Sequence, residues 1–272
     1  MYLTFNSEQI NKINQNAATM KNTVLMKRHL PILATLVLLA TGCSIYHPQA
    51  VSIPLVNQRG DAQVDISAGL SSWVLPDVFT LNATGSYGIN DWLAGQAHVN
   101  YGFENAYGHL AAGIYSRLGT YGVFEGYLGF GYGGSWRDIT SVESDDTDDQ
   151  NAGVRNYKYH GHFMLPFLQS NIGWRGLAKG HLDIAFGIKA GAYMPDFDYR
   201  SYDADGNTVD SRSMIYNTTN ILVEPQAQLR VGSQHVKWNF RVGFVWMNDI
   251  NRADINLTYD WFTVSTGLTF SF

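Results

Sequence analysis

Residues 261–272 read WFTVSTGLTFSF, and this stretch decides how the rest of the chain is read. Phe262, Val264, Thr266, Leu268, Phe270 and Phe272 fall on one side of an extended chain. Trp261, Thr263, Ser265, Gly267, Thr269 and Ser271 fall on the other. The period of two predicts a strand with one apolar face and one small, polar face. A soluble sheet would bury the apolar face in a core. A transmembrane strand turns it to lipid and turns the polar face to a lumen.

Composition chooses between the two. Of 272 residues, 45% are hydrophobic and 14% aromatic, but only 15% are charged, and 27 are glycine. Mean hydropathy is only -0.14. Strands that are greasy on one side account for that combination, whereas a soluble sandwich would carry more surface charge. The formal charge of -5 excludes a nucleic-acid partner, which needs clustered Lys and Arg. A C-terminal strand ending on an aromatic resembles the closing strand of bacterial outer-membrane barrels. That resemblance implies that Phe270 and Phe272 form a signal for the barrel-assembly machinery.

Working back from the end, the same alternation recurs. Candidate strands are 62–71, 79–87, 93–101, 109–117, 123–133, 159–174, 182–193, 219–231, 236–246 and 259–272. In the first, Ala62, Val64, Ile66, Ala68 and Leu70 oppose Asp65, Ser67, Gly69 and Ser71. The stretch around Pro166 is the least regular, since proline suits only an edge or a bulge. Connections near 89–92, 118–122, 175–180 and 232–235 are short, and those at 134–158 and 194–218 are long and polar. Short turns belong on the periplasmic side and long loops outside. Tyr87, Trp92, Trp174, Trp238, Trp246 and Tyr259 sit at strand ends, as interfacial girdles require. The expected fold is all-β: one transmembrane, antiparallel, up-and-down barrel of about ten strands, within 8–12, over residues 62–272.

Ahead of the barrel, Met26-Lys27-Arg28-His29 is a basic start, and Leu30 to Ala40 is an apolar run too short to span a bilayer. It ends in Leu39-Ala40-Thr41-Gly42-Cys43, which looks like a lipoprotein cleavage site. Residues 1–42 are therefore expected to be an upstream extension plus signal peptide, with Cys43 acylated, for example by palmitate. Cys43 is the one cysteine of the chain. Without 1–42, 14 basic and 22 acidic residues remain. Residues 43–61 contain Pro48 and Pro54 and are expected to be a periplasmic tether. An even strand count puts both ends of the barrel, and with them the acyl chain, on the periplasmic side.

Tyr46-His47-Pro48-Gln49-Ala50, Pro54-Leu55 and Gly60-Asp61, followed by the ten strands, resemble small outer-membrane β-barrel lipoproteins of Bacteroidetes-type bacteria. The resemblance implies location in the outer membrane and fold, and supplies no catalytic residues.

The chemistry-bearing motifs give little. Gly129, Gly131 and Gly134 satisfy G-x-G-x-x-G, but no helix follows to aim amides at a pyrophosphate. Asp203-Ala204-Asp205-Gly206-Asn207 lacks the distant Glu of a calcium loop and reads as a hairpin tip. Glu143, Asp145, Asp146, Asp148 and Asp149 read as a solvated loop. His160 and His162 share a strand face without a third ligand nearby in sequence. No cofactor or metal is expected. The polar faces add Asp65, His98 and Glu125 to a lumen network of Asp183, Lys189, Glu224, Arg230, Lys237 and Arg241. Buried charges need partners. Glu224 and Arg230 are expected to meet Lys237 and Arg241, and the whole set to fill the lumen as a plug.

The functional expectation is a non-enzymatic outer-membrane protein, structural or binding, acting through its long loops. Its partners would be membrane lipid, lipopolysaccharide and an envelope or extracellular protein. A lipid-modifying enzyme at the rim, or a narrow ion pore, are the alternatives.

Overall fold

The computed structural model describes residues 43–46, 51–70, 79–142, 154–202, 208–210, 219–248, 257–259 and 261–272. The export signal in 1–42, the acidic run 143–149 and the 203–207 tip lie outside the described residues.

Ten long strands form the wall: β1 Ala62–Leu70, β2 Phe79–Gly88, β3 Leu93–Gly102, β4 Asn105–Leu118, β5 Gly122–Val142, β6 Val154–Gly176, β7 Leu182–Tyr202, β8 Asn220–Gly232, β9 Val236–Phe244 and β10 Phe262–Ser271. Each pairs antiparallel with the next, and β10 pairs with β1 through Leu268↔Ile66 and Thr269↔Asp65. The result is a closed ten-strand antiparallel barrel, so among the described residues the belt that meets lipid has no open strand edge, as a lipid environment demands.

The expected alternation is present strand by strand. Val64, Ile66, Leu81, Val99, Leu110, Leu128, Leu168, Ile188 and Phe240 are exposed on the outside. Asp65, Asn82, His98, Glu125, Asn171, Lys189 and Arg241 are buried inside. Only lipid accommodates an unbroken apolar outer band of this kind. Tyr87, Trp92, Tyr121, Trp174 and Trp238 face outward near the short turns, and Tyr101, Tyr132, Trp246 and Trp261 do so near the opposite end. Phe272 lies at the short-turn end, where its amide donates to Ala62 O over 2.9 Å.

Two expectations about loops are corrected. Within the polar stretches 134–158 and 194–218, residues 134–142, 154–158 and 194–202 are strand: β5, β6 and β7 run for 21, 23 and 21 residues. Beyond the lipid band the outward face turns polar, at Lys158, His160, Asp196 and Asp198, so the apolar outer face that marks a membrane strand in sequence disappears. The ladder continues because backbone pairing does not depend on it, as in Asp138↔Lys158 and His160↔Asp198. The β3–β4 connection, at Phe103 and Glu104, is short although it lies at the long-loop end. Pro166 sits within one continuous β6, at the point where pairing to β7 skips between Met164↔Met194 and Phe167↔Gly191. Proline has no N–H to give that ladder.

A lumen threaded by the N-terminal segment

The expectation of a tether hanging below the barrel is overturned. Tyr46, Val51, Ser52, Ile53, Leu55 and Val56 are fully buried, because the segment ahead of β1 runs through the lumen. Its direction is recorded by its partners on β8, which descends toward the short β8–β9 turn. Tyr46 Oη donates to Glu224 Oε1 at 2.6 Å, and Ile53 N donates to Gln228 Oε1 at 2.7 Å. Arg230 then reaches Ile53 O, and Pro54 O at 3.2 Å. Residues 46, 53 and 54 thus march down β8 from 224 to 230.

A lone extended chain inside a barrel has no strand partner for its amides and carbonyls, and each unmet group is costly. Lumen side chains replace the missing ladder. Gln96 Nε2 donates to Ser52 O at 2.9 Å, and Arg175 Nη1 to Leu55 O at 3.2 Å. Val56 N donates to Glu125 Oε1 at 2.7 Å. The second oxygen of Glu125 accepts Asn171 Nδ2 at 3.0 Å, which holds the carboxyl in place. Leu55 bends the strap at φ 59, a left-handed conformation that a leucine rarely adopts, and the surrounding bonds hold it there.

The apolar side chains of the strap have their own seats. Ile53 and Leu55 pack with Val123 and Ala185. Glycines in the wall make the room: a Cβ at Gly173 would lie 2.7 Å from Leu55 Cδ2, and one at Gly187 3.1 Å from Ile53 Cδ1. Higher up, the ring of Tyr46 meets Phe163 at 5.7 Å and Tyr193 at 5.2 Å, both edge-on.

The predicted charges are all in the lumen, but paired differently. Glu224 and Arg230 do not pair with Lys237 and Arg241 as expected; six residues apart on one strand, they face different rungs. Each bridges sideways to β7, Glu224 to Lys189 and Arg230 to Asp183 at 3.6 Å, in register with the ladder. Asp183 also takes Lys237 Nζ at 2.6 Å. Arg241 pairs with Asp65, which accepts Asn239 Nδ2 at 2.7 Å and Thr269 Oγ1 at 2.6 Å. At the bottom, Arg175 pairs with Asp61. Opposite charges across the lumen wall offset the cost of burial, while the strap carbonyls and Gln63 accept from the Nη groups of Arg230.

The long-loop half is less tightly tied. His98 and His109 are opposite each other on β3 and β4, with stacked rings 5.1 Å apart. Thr84 Oγ1 lies 2.9 Å from His98 Nδ1. Among the described residues no group of three or more His, Cys, Asp or Glu is placed to hold a metal ion. His162 lies outside the barrel, 3.5 Å from Asp196, and His160 is opposite Asp198. These four sit on the outer wall above the lipid band, away from the lumen mouth. Gly129 and Gly131 pack under Phe167 and Tyr107, as strand glycines do. The missed residues are those of the strap, and a signal for them existed: Val51, Ile53 and Leu55 alternate with Ser52 and Pro54.

No protein family and no curated protein matches the chain. Among solved structures it is similar to the outer membrane protease OmpT from Escherichia coli, at 9% identity and a TM-score of 0.53, over 82% of this chain and 99% of that one. It also matches the translocator domain of autotransporter NalP from Neisseria meningitidis, at 12% identity and TM-score 0.41, over 94% and 98%. LpxR from Salmonella typhimurium matches at 11% identity and TM-score 0.34, over 77% and 100%. The likeness to OmpT is one of fold: the chain folds as a β-barrel of the outer-membrane type.

Proposed function

We propose that this barrel is a closed, non-enzymatic outer-membrane protein that binds an envelope or extracellular partner through the wall formed by the upper parts of β5, β6 and β7. One observation carries the reading: these three strands stay paired well past the lipid band. A sheet edge raised above the membrane gives a preformed surface, and preformed surfaces lose little entropy on binding. The strap supports a closed lumen rather than a path. The outward position of His160 and His162, away from the mouth, gives no cleft in which a reaction could be shielded. Acylation of Cys43, contact with lipopolysaccharide and insertion directed by Phe270 and Phe272 belong to the same proposal.

The test shortens the wall. Residues 135–161 are replaced by an Asn-Gly turn, which suits a two-residue hairpin. The barrel is expected to keep its heat-modifiable gel mobility while losing any partner captured by the parent from native envelopes. Mass profiles of envelope lipids are expected to be the same with and without the protein. Capture that survives the shortening overturns the binding face; a lipid profile that depends on the protein overturns the non-enzymatic reading.

A further inference from the structure

We infer that the barrel presents its own N-terminal segment on the outer face of the membrane, delivered there through the lumen. Two independent features of the fold give the direction. The strap descends β8 from Glu224 to Arg230 as its residue numbers rise, then reaches the short-turn end, where Gly60 N donates to Gly88 O at 2.8 Å. At its other end, Cys43–Tyr46 pairs in parallel with Leu257–Tyr259, in the connection between β9 and β10 at the long-loop end. The chain upstream of Tyr46 therefore leaves the barrel at the mouth opposite Phe272. Since long loops face outward, that mouth opens to the cell exterior.

The strap is fixed in this direction. Reversing it would point the amides of Ile53 and Val56 away from Gln228 and Glu125, and would take the carbonyls of Ile53 and Pro54 from Arg230. Buried Tyr46, Ile53 and Leu55 also block sliding, because each side chain is enclosed by wall residues. The segment directly precedes β1, and β1 closes the barrel against β10. The strap must accordingly be in place when that last seam forms. A lipid on Cys43 would then anchor in the outer leaflet, the reverse of the inner-leaflet anchor expected from strand parity alone. The inference rests on the long-loop-out orientation and not on the proposed binding wall.

Epitope insertions in the full chain, expressed in cells, test it. One tag is placed between Ser44 and Ile45, one in the β5–β6 connection after Asp146, and one in the β8–β9 turn between Ser233 and Gln234. Antibody binding to the first two is expected to be the same in intact and permeabilised cells. The third is expected to bind only after permeabilisation. A Ser44 tag that needs permeabilisation while the Asp146 tag does not overturns the threaded display. An exposed Ser233 tag with a hidden Asp146 tag overturns the outward direction. The shortened-wall variant, with the Ser44 tag alone, separates the two proposals: tag exposure there is expected to be unchanged even where partner capture is lost.

Discussion

Arg230→Ala is expected to destabilise the barrel by about 3–5 kcal/mol, the range for removing one partner of a buried ionic network. Arg230 is only 1% exposed, and four acceptors depend on it: Ile53 O, Pro54 O, Gln63 Oε1 at 2.9 Å and the Asp183 carboxylate. Alanine strips the strap of its main carbonyl donor and leaves Lys237 as the one cation bridged to Asp183 among the described residues. Arg230→Lys should recover part of the loss, since an ammonium can replace a point charge but not a planar fork reaching several acceptors. The urea midpoint of the heat-modifiable form reads the effect. A midpoint for the alanine variant equal to that of the parent would mean that the strap is not seated on this side chain.

The second large effect lies on the lipid face. Leu128→Arg is expected to cost about 2–4 kcal/mol, the depth-dependent cost near the midplane. Leu128 is 66% exposed and lies on β5 between Tyr121 and Tyr132, one in each aromatic belt. Its cross-strand neighbours Ala112 and Leu168 also face outward, so the guanidinium would find no partner there. Leu268→Arg should be milder, because Leu268 pairs with Trp238 in the short-turn belt, where the headgroups are within reach. Folding yield into lipid vesicles separates the two. Equal yields for both variants would contradict the placement of the band.

How much of this was legible without coordinates depends on what each residue faces. Wherever one face met lipid and the other the lumen, chemistry alternated and the strand was readable, as at Val64-Asp65-Ile66-Ser67. Above the band the outward face is polar too, as at Lys158, and the reading of 159–174 stopped short of a strand that begins at Val154. The lumen positions of Asp183, Lys189, Glu224, Arg230, Lys237 and Arg241 followed from the same alternation. Their pairing did not, because it depends on register between strands: Glu224 opposite Lys189 and Arg230 opposite Asp183 are facts of the β7–β8 ladder. The strap was missed for a different reason. With no sheet partner it has no obligatory period, and Pro48 and Pro54 made it look like a linker. Beyond the short alternation of Val51, Ile53 and Leu55, its trace in the sequence was indirect. Gln96, Glu125, Gln228 and Arg230 are hydrogen-bonding groups facing the lumen, and each has a partner in the strap, outside the ten strands.

The central claim is that residues 51–57 fill the passage through the barrel, and single-channel recording in planar bilayers tests it most directly. The intact protein is expected to give no stepwise conductance. A variant lacking residues 43–57, checked first for heat-modifiable mobility, is expected to give discrete openings, because the strap's seats among Gln96, Glu125, Gln228 and Arg230 are then left to water and ions. An intact protein that conducts as well as the strapless variant would contradict the account.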